Sequence, residues 1–394
     1  MLSDITKLDE KYFMQVFGKR LPVCFTIGED VYLFDTDGKK YTDFLSGIAV
    51  NCLGYSDNGF KTALKNTIDN LMHTSNYFYI EQQAKLAEAL CNATGMDNVF
   101  FQNSGAEAVE GALKLARKYH YNNGDQRQEI ITIKGSFHGR TLATLAATGQ
   151  DKFHEAFKPL IDTFTYVAPN DINELANTIT NATAAVMIEP IIGEGGLISI
   201  SNEYFQAVRA LCDKHGALMI ADEIQTGCGR TGEFLASPSL GAMPDVVVLA
   251  KSLGNGFPIG AFLARGKAST ALLQGDHGST FGGNHLACTA AYYVVNKLIT
   301  TDMMSQVAQT GAYFKQQLND LKQVFSCIQQ VRGKGLMLGI DLDETVEAKS
   351  VLKKLLGMGF VTATAGENVL RFLPPYTIQT QHIDKLIAAL KQVL

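Results

Sequence analysis

Short apolar runs recur through the middle of the chain, between about residues 98 and 265. They are rich in Val and Ile, and they comprise Val99–Phe101, Ile130–Ile133, Ala184–Ile188, Ala217–Ala221, Val246–Ala250 and Ala261–Ala264. Continuous apolar runs of this length are typical of strands that are buried on both faces. Amphipathic stretches separate them, such as Glu203–His215, which Gly216 ends in the manner of a helix C-terminus. Strands alternating with helices predict an α/β fold with a mostly parallel sheet between layers of helices.

The last hundred residues have a different pattern. Helices are predicted at Thr289–Leu298, Ser305–Gln323, Ala348–Leu356 and Ile383–Val393, and strands at Gly335–Asp341 and Val369–Leu373. This order indicates a smaller α+β domain, and a hairpin predicted at Tyr32–Tyr41 around Asp37-Gly38 is assigned to the same domain. The predicted division is an N-terminal segment packing with the small domain, a large α/β domain and a small C-terminal domain, at residues 1–50, 51–288 and 289–394.

Composition narrows the class of protein. The 394 residues are 46% hydrophobic and carry a net charge of −5, which argues against a nucleic-acid partner because phosphates require a basic face. No apolar run approaches the roughly 20 residues of a membrane span, and the N-terminus lacks the features of a targeting signal. The seven scattered cysteines and eight histidines show no metal-binding spacing. We therefore expect a cytoplasmic protein with neither a metal site nor a membrane partner.

Charged residues follow three of the predicted strands. Glu189 follows the third run, Asp222 and Glu223 follow the fourth, and Lys251 follows the fifth. Ligands of open parallel sheets bind beyond the carboxyl ends of the strands. A lysine that is partly desolvated there becomes a nucleophile, although a lysine at a strand end more often only points into water.

Two glycine-containing segments are candidates for binding phosphate. In Gln102–Glu107, Ser104 and Glu107 have capping-box spacing and Gly105 allows close approach to the backbone, although a plain capped helix has the same pattern. Gly227–Gly232 matches the dinucleotide fingerprint and is the basis of an alternative function, an NAD-linked oxidoreductase. We interpret this second match as coincidental, because no helical periodicity follows it and Pro238 interrupts the next stretch.

A series of motifs, taken together, resembles the class III aminotransferases over nearly the whole chain. The motifs are Phe101–Ala108, Phe137–Thr141, Glu189–Gly196, Asp222–Gln225 with Gly229–Gly232, Lys251–Gly254, Gly278–Asn284 and Arg371–Pro375. The resemblance implies the type I fold of pyridoxal-phosphate enzymes, that cofactor, and a homodimer with composite active sites. Two positions depart from the family pattern: Asp57-Asn58 replaces the usual histidine-proline, and His285 stands where proline is usual.

The resemblance also assigns roles around the cofactor. It implies that Lys251 holds the cofactor as a Schiff base and later carries the substrate proton, and that Asp222 pairs with the ring nitrogen, which keeps that nitrogen protonated. Gln225 would contact the ring hydroxyl, while Ile224 and Phe137 would pack on the two ring faces. The remaining predicted cofactor contacts within the same subunit are Ser104, Gly105, Ala106 and Glu223. Thr280 of the partner subunit is the last predicted contact.

Four further residues are implied in substrate binding. Arg140 would bind a substrate carboxylate, and Arg371 would bind the carboxylate next to the reacting carbon of 2-oxoglutarate. Glu194 would cover Arg371 while the amine donor is bound, and Ser279 is a further predicted contact. The resemblance is strongest to family members that transfer the δ-amine of N²-acetylornithine to 2-oxoglutarate in arginine biosynthesis. Ornithine, succinylornithine and 4-aminobutyrate remain alternative donors.

Overall fold

The computed structural model describes residues 2–394. Its helices are α1 Leu2–Tyr12, α2 Ser46–Ala49, α3 Asn58–Asn70, α4 Glu81–Thr94, α5 Gly105–Asn122, α6 Leu142–Ala147, α7 Ile172–Thr178, α8 Asn202–His215, α9 His285–Thr300, α10 Met303–Val324, α11 Ala348–Gly357 and α12 Thr380–Val393. Its strands are β1 Phe25–Glu29, β2 Tyr32–Asp35, β3 Lys40–Asp43, β4 Asn98–Gln102, β5 Glu129–Ile133, β6 Phe164–Val167, β7 Thr183–Ile188, β8 Ile191–Ile192, β9 Ile198–Ser199, β10 Leu218–Asp222, β11 Val246–Leu249, β12 Gly260–Ala264, β13 Ile328–Lys334, β14 Met337–Leu342, β15 Phe360–Val361, β16 Ala363–Ala365 and β17 Val369–Phe372. None of these helices is long and apolar enough to cross a membrane.

A seven-stranded sheet forms the centre of the molecule, in the order β4-β12-β11-β10-β7-β5-β6. Every pairing is parallel except those of β12, which runs antiparallel to both of its neighbours. Five of the strands, β5, β7, β10, β11 and β12, consist almost entirely of buried side chains, as the continuous apolar runs predict. The predicted α/β class with a mostly parallel sheet is therefore confirmed, and the six strands predicted between residues 98 and 265 all belong to this sheet.

Helices cover both faces of the central sheet. On one face α5 contributes a row of buried small side chains, including Ala108, Ala112 and Ala116, which let the helix lie close to the strands. On the other face α8 buries Tyr204, Phe205 and Val208. Each large apolar side chain that is fully buried in this way contributes about 1.5–3 kcal/mol to folding. These two layers hold rigid the strand ends that carry the acidic and basic residues.

Two smaller sheets involve both ends of the chain. The predicted hairpin is present as β2 and β3, and β15 from the C-terminal part pairs with β3 in parallel. The second sheet has the order β13-β14-β17-β16 and is antiparallel. The N-terminal hairpin therefore packs with the C-terminal part, although the division at residues 50 and 288 stays a prediction.

The glycine run at residues 227–232 does not form a dinucleotide site. No α-helix begins there in residues 2–394, and the segment packs against the C-terminal part instead. The guanidinium of Arg230, within the run, is fully buried and donates to the carbonyl oxygens of Leu336 and Pro374, at 3.1 and 2.6 Å. The glycines thus serve a tight structural turn, and the feature behind the oxidoreductase alternative is absent.

The first departure from the family pattern has a structural role. Asp57 caps α3 by accepting a hydrogen bond of 2.9 Å from the Phe60 N–H, and it also accepts hydrogen bonds from Tyr293 Oη and Lys297 Nζ. Burial would raise the pKa of Asp57, but the hydrogen bonds from Lys297, Phe60 and Tyr293 outweigh it and lower the pKa below its usual value. Asp57 therefore joins the start of α3 to α9.

We expect Asp57→Ala to lower the free energy of unfolding by about 1–3 kcal/mol, through loss of the cap and of its partners. Because the folded pKa is depressed, this stabilisation is present above the unfolded value of about 3.9 and is lost as the pH falls through the folded value. Denaturant titration at pH 7 and at pH 3 measures both effects. Asp69→Ala, at an exposed position on the same helix, is the matched control and should change stability by less than about 0.5 kcal/mol. An equal effect of the two substitutions would contradict this role.

The second departure lies at the first position of α9. Asn284 caps this helix by accepting from the Ala287 N–H, so His285 occupies the position where proline is most favoured. The His285 ring is buried, and its Nδ1 has no hydrogen-bond partner in residues 2–394. Helix α9 therefore begins at His285, the position that proline usually occupies in the family.

Candidate active site

A cavity of about 460 Å³ opens beyond the carboxyl ends of β7, β10 and β11. Ten of the fourteen predicted site residues line it, namely Ser104, Gly105, Ala106, Phe137, Arg140, Glu194, Asp222, Ile224, Gln225 and Lys251. The other four, Glu223, Ser279, Thr280 and Arg371, are not part of its lining. The sheet thus brings together residues that are up to about 150 positions apart in the chain, as expected for the strand ends of an open α/β sheet.

Lys251 lies two residues beyond the end of β11, in a strained backbone conformation. Its φ of 46° is in the left-handed region, which costs a non-glycine residue about 1–2 kcal/mol. The residue is half-buried, and its Nζ makes no hydrogen bond or ion pair with residues 2–394. Burial lowers the pKa of Lys251, Glu194 raises it, and the nearby Arg371 guanidinium lowers it, with a net shift below the ordinary value. The amine is therefore more often neutral and nucleophilic than that of a solvated lysine.

Asp222 closes the floor of the cavity together with two buried groups from neighbouring segments. Its Oδ2 lies 2.7 Å from Nδ1 of His138, and its Oδ1 accepts from the Ile224 N–H at 3.0 Å. Glu189, at the end of β7, accepts from the backbone N–H groups of Phe137 and Gly193, at 2.9 and 3.2 Å. The contacts with His138 and Ile224 fix the carboxylate of Asp222 at the edge of the cavity.

The electrostatics of this group follow from its burial. Burial alone would lower the pKa of His138, but the hydrogen bond and charge of Asp222 and the charge of Glu189 raise it above its ordinary value. Burial raises the pKa of Glu189 to about 7, with the Asp222 charge adding to the rise and His138 opposing it. A protonated His138 beside Asp222 thus gives a buried ion pair that orients the carboxylate.

The start of α5 presents free backbone donors to the cavity. Ser104 caps the helix by accepting from the Glu107 N–H at 3.2 Å, as predicted, whereas the Glu107 carboxylate accepts from the Asn103 N–H at 2.7 Å. The N–H groups of Gly105 and Ala106 meet no acceptor in residues 2–394. Two free donors at the positive end of a helix dipole suit an anion such as phosphate.

Phe137 and Ile224 form two apolar parts of the cavity wall. A Cβ on Gly105 would lie 2.8 Å from Cδ1 of Ile224, so the tip of the Ile224 side chain would have to shift to make room for a larger residue at position 105.

Glu194 and Arg371 form an ion pair at one side of the cavity. Arg371 is 2% exposed, and its Nη1 donates to Oε1 of Glu194 at 2.6 Å. The same guanidinium contacts Gln225 Oε1 at 3.4 Å and the Gly193 carbonyl oxygen at 3.3 Å. Burial raises the pKa of Glu194, but the charge and hydrogen bond of Arg371 outweigh it, and the net pKa is lowered. Glu194 is therefore ionised and covers Arg371 from the cavity side.

Arg140 is an unpaired basic residue of the cavity lining, as Lys251 is. Its side chain is exposed and makes no hydrogen bond or ion pair with residues 2–394. Its guanidinium carbon lies 3.9 Å from the ring centroid of Phe153 and 5.5 Å from that of Phe137. All five of its N–H donors thus remain available to a ligand.

Glu223 does not line the cavity, and its contact with the cofactor stays a prediction. Its buried carboxylate accepts from Ser237 Oγ at 2.6 Å, from the Ser237 N–H at 2.7 Å and from the Ala236 N–H at 2.9 Å. Thr226 Oγ1 donates to it as well, so the carboxylate anchors the following turn. Successive side chains of an extended segment point to opposite sides, so Asp222 faces the cavity and Glu223 faces away from it.

Ser279 and Thr280 lie outside the Lys251 cavity. They line a second cavity of about 820 Å³, together with Tyr77 and His277. The nearest link is Asn103, which lines the first cavity and donates to Ser279 Oγ at 3.4 Å. Within a single chain Thr280 therefore does not reach the predicted phosphate site.

A left-handed turn brings Val50 into the cavity lining, a position the motifs do not single out. Four successive residues at 46–49 have φ between 47° and 70°. The turn is held by Ser46 Oγ, which donates to the Leu373 carbonyl oxygen at 2.6 Å, and by Ser252 Oγ, which donates to the Ala49 carbonyl oxygen at 2.8 Å. Strain of this kind persists only where the surroundings enforce it.

His138 and Glu189 are further site residues to which sequence reasoning assigns no role. A signal existed for both, since His138 lies inside the Phe137–Thr141 motif and Glu189 follows a strand. Their partnership with Asp222 depends on how three strands align, which the sequence does not state.

The residues around Lys251 fit pyridoxal phosphate. The unpaired N–H groups of Gly105 and Ala106 suit its phosphate, and the buried carboxylate of Asp222 suits a protonated ring nitrogen. The unpaired amine of Lys251 suits its aldehyde carbon. Among residues 2–394, no group of His, Cys, Asp and Glu side chains could hold a metal ion.

Comparison with known sequences points to one family. The model of the family "Aminotransferase class-III" matches residues 13–394. The acetylornithine aminotransferase of Methanocaldococcus jannaschii is 46% identical over 390 residues, which cover 98% of this chain and 96% of the relative. That of Haemophilus ducreyi is 43% identical over 397 residues, covering 100% and 99%.

Solved structures agree with the sequence relatives. The ornithine aminotransferase of Toxoplasma gondii superposes with a TM-score of 0.95 at 29% identity, covering 100% of this chain and 94% of the other. The N-acetylornithine aminotransferase of Stenotrophomonas maltophilia gives a TM-score of 0.84 at 34% identity, covering 98% and 97%. This chain belongs to the class III aminotransferases, with the type I fold of pyridoxal-phosphate enzymes.

Proposed function

We propose that this chain transfers the δ-amino group of N²-acetyl-L-ornithine to 2-oxoglutarate. The products are N-acetyl-L-glutamate 5-semialdehyde and L-glutamate, and the reaction belongs to arginine biosynthesis. The observation that carries the proposal is the unequal state of the two arginines: Arg140 is free, whereas Arg371 is buried under Glu194. The names of the relatives favour acetylornithine as the donor.

The two arginines distinguish a carboxylate far from the reacting carbon from a carboxylate next to it. A δ-amine donor has no carboxylate next to its reacting carbon, so Arg371 needs no ligand and stays paired with Glu194. Its only carboxylate lies at the other end of the molecule, where Arg140 binds it through two parallel hydrogen bonds. An α-amino acid would instead have to displace Glu194, which disfavours it as the donor.

The proton transfer is assigned to Lys251. Pyridoxal phosphate, when bound, would supply a sink for the electron pair left by proton loss from the substrate carbon. The neutral amine of Lys251 would take that proton and later give it back, and its lowered pKa suits this role. The Asp222 carboxylate, held by His138, supplies the negative charge that keeps the ring nitrogen protonated. Gln225 would contact the ring hydroxyl.

In the second half of the reaction, Glu194 leaves Arg371, which then binds the acceptor. The carboxylate of 2-oxoglutarate next to its carbonyl group replaces Glu194 on Arg371, and the distal carboxylate takes the place of the donor's on Arg140. Glu194 keeps a hydrogen-bond donor nearby, because Nε2 of Gln225 lies 3.4 Å from its Oε1.

We propose that the active form is a homodimer in which Thr280 of the partner subunit completes the phosphate site. The surface around the second cavity supports this, because Tyr77, Phe78, Tyr79 and Phe281 are all largely exposed. Asn76 ties this segment to the loop by donating to the carbonyl oxygens of residues 279 and 282. Large exposed apolar side chains around one cavity favour an interface at this surface.

A donor panel with 2-oxoglutarate as the acceptor tests the proposed function. Acetylornithine should give the highest kcat/KM among acetylornithine, succinylornithine, ornithine and 4-aminobutyrate, with glutamate formed in equal amount. A higher value for another donor would replace acetylornithine as the proposed donor. Absence of glutamate formation with every donor would overturn the transfer itself.

Glu194→Ala should admit α-amino acids as donors, because it uncovers Arg371. A hydrogen bond to a charged group is worth about 1.5–3 kcal/mol, so we expect the kcat/KM ratio of L-glutamate to acetylornithine to rise about ten- to hundredfold. Glu194→Gln keeps the shape without the charge and should give an intermediate ratio. An unchanged kcat/KM ratio in both variants would show that Glu194 does not keep α-amino acids away from Arg371.

A further inference from the structure

The geometry points to Phe153 as the residue that positions Arg140, and hence as a determinant of selectivity for donors with a distal carboxylate. This inference rests on the proposed function of Arg140 as the carboxylate anchor. Phe153 lies outside every motif that identifies the family and does not line the Lys251 cavity. It acts on the substrate only through the arginine.

The contact between the two side chains is close. The guanidinium carbon of Arg140 lies 3.9 Å from the ring centroid of Phe153, well inside the ~6 Å limit for a cation–π interaction. A planar guanidinium that stacks on a ring keeps its N–H donors in the plane free for a carboxylate. Since Arg140 has no hydrogen bond or ion pair within residues 2–394, the aromatic contacts are its main constraint.

The segment that carries Phe153 is fastened on both sides of the ring. Before it, Nε2 of Gln150 donates to the Ser136 carbonyl oxygen at 3.0 Å. After it, the buried His154 places its Nε2 2.9 and 2.8 Å from the carbonyl oxygens of Leu145 and Thr148, so this nitrogen carries the proton and donates to both. These anchors all lie between residues 136 and 148, the segment that also carries Arg140. The ring and the guanidinium are therefore fixed to one support.

An unsupported Arg140 would sample many rotamers, and binding a carboxylate would then require it to be ordered. Holding it on a ring beforehand reduces that entropic cost, so the benefit is realised in binding and not in the proton transfer. The expected signature of losing the ring is a higher KM with an unchanged kcat. The signature applies to acetylornithine and to 2-oxoglutarate, because both place a distal carboxylate on Arg140.

The test compares Phe153→Leu, which removes the aromatic ring, with Phe153→Tyr, which keeps it. Phe157→Leu, at an exposed ring in the same segment, is the matched control. Each variant is assayed with acetylornithine and with N-acetylputrescine, which is the same donor without its carboxylate. We expect Phe153→Leu to raise the KM for acetylornithine and for 2-oxoglutarate roughly three- to tenfold, with kcat within about twofold. The KM for N-acetylputrescine should not change, and Phe153→Tyr and Phe157→Leu should resemble the unmodified enzyme.

Two results would overturn the inference: an equal rise in KM for both donors, which indicates general damage to the loop, or no rise for acetylornithine. Arg140→Gln separates this failure from a failure of the proposed function. If Arg140→Gln leaves the KM for acetylornithine unchanged, the carboxylate anchor itself is wrong. If Arg140→Gln raises it and Phe153→Leu does not, only the positioning role of Phe153 is excluded.

Discussion

Lys251→Ala should reduce turnover of acetylornithine and 2-oxoglutarate by at least about 10⁴-fold, the upper range for loss of a positioned acid–base group. The amine of Lys251 has no partner within residues 2–394, its pKa is lowered, and it faces the cavity that also contains Asp222 and the start of α5. Cofactor binding should remain measurable, because Gly105 and Ala106 still offer their N–H groups to the phosphate. Steady-state assays of glutamate formation and the absorbance of the purified protein measure the two effects.

Two controls sharpen this prediction. Lys251→Arg keeps a positive charge and similar length, yet it should be nearly as inactive because a guanidinium stays protonated. Lys267→Ala removes an exposed lysine that does not line the cavity and should retain full turnover. Turnover near the unmodified level in Lys251→Ala would contradict the assignment of the proton transfer to this residue.

Asp222→Asn should lower kcat by about 10²- to 10³-fold, the range found when one preorganised electrostatic group is removed from a site. The substitution keeps the shape of the side chain, but it removes the charge beside the ring nitrogen and the hydrogen-bonded ion pair with His138. Asp222→Glu restores the charge at a shifted position and should recover part of the activity. Equal activity in Asp222→Asn and the unmodified enzyme would exclude the electrostatic role.

The same substitution has a consequence for His138. The hydrogen bond and charge of Asp222 raise the pKa of this buried imidazole, whereas burial opposes the rise. In Asp222→Asn burial dominates, so the pKa of His138 should fall and the imidazole should be neutral at pH 7. NMR titration of the histidine resonances measures this shift, and an unchanged His138 pKa would show that Asp222 does not control it.

The central sheet could be predicted because its strands are buried on both faces. Val246–Ala250 and Ala184–Ile188 carry no polar side chain, so no other element fits them as well. The prediction missed β6, whose sequence Phe164–Val167 mixes polar and apolar residues, and β13, which contains three charged or amide side chains in its middle. Those strands are defined by their partners and not by their own pattern.

The residues of the site could be predicted where they directly follow a recognisable strand. Lys251 and Asp222 stand at strand ends, and the strand order brings them together. The direction in which a side chain points was harder to predict. Glu223 directly follows Asp222 in the chain, yet its side chain lies on the opposite side of the sheet. Thr280 marks a second limit, since its predicted contact involves another subunit.

The most direct measurement of the central claim is to map the residue that holds the cofactor. The protein saturated with pyridoxal phosphate is reduced with borohydride, digested and analysed by mass spectrometry. We predict one stoichiometric pyridoxyl adduct, on the peptide that contains Lys251, and its loss when acetylornithine is added without an acceptor before reduction. An adduct on a different lysine, or none on the saturated protein, would contradict the account.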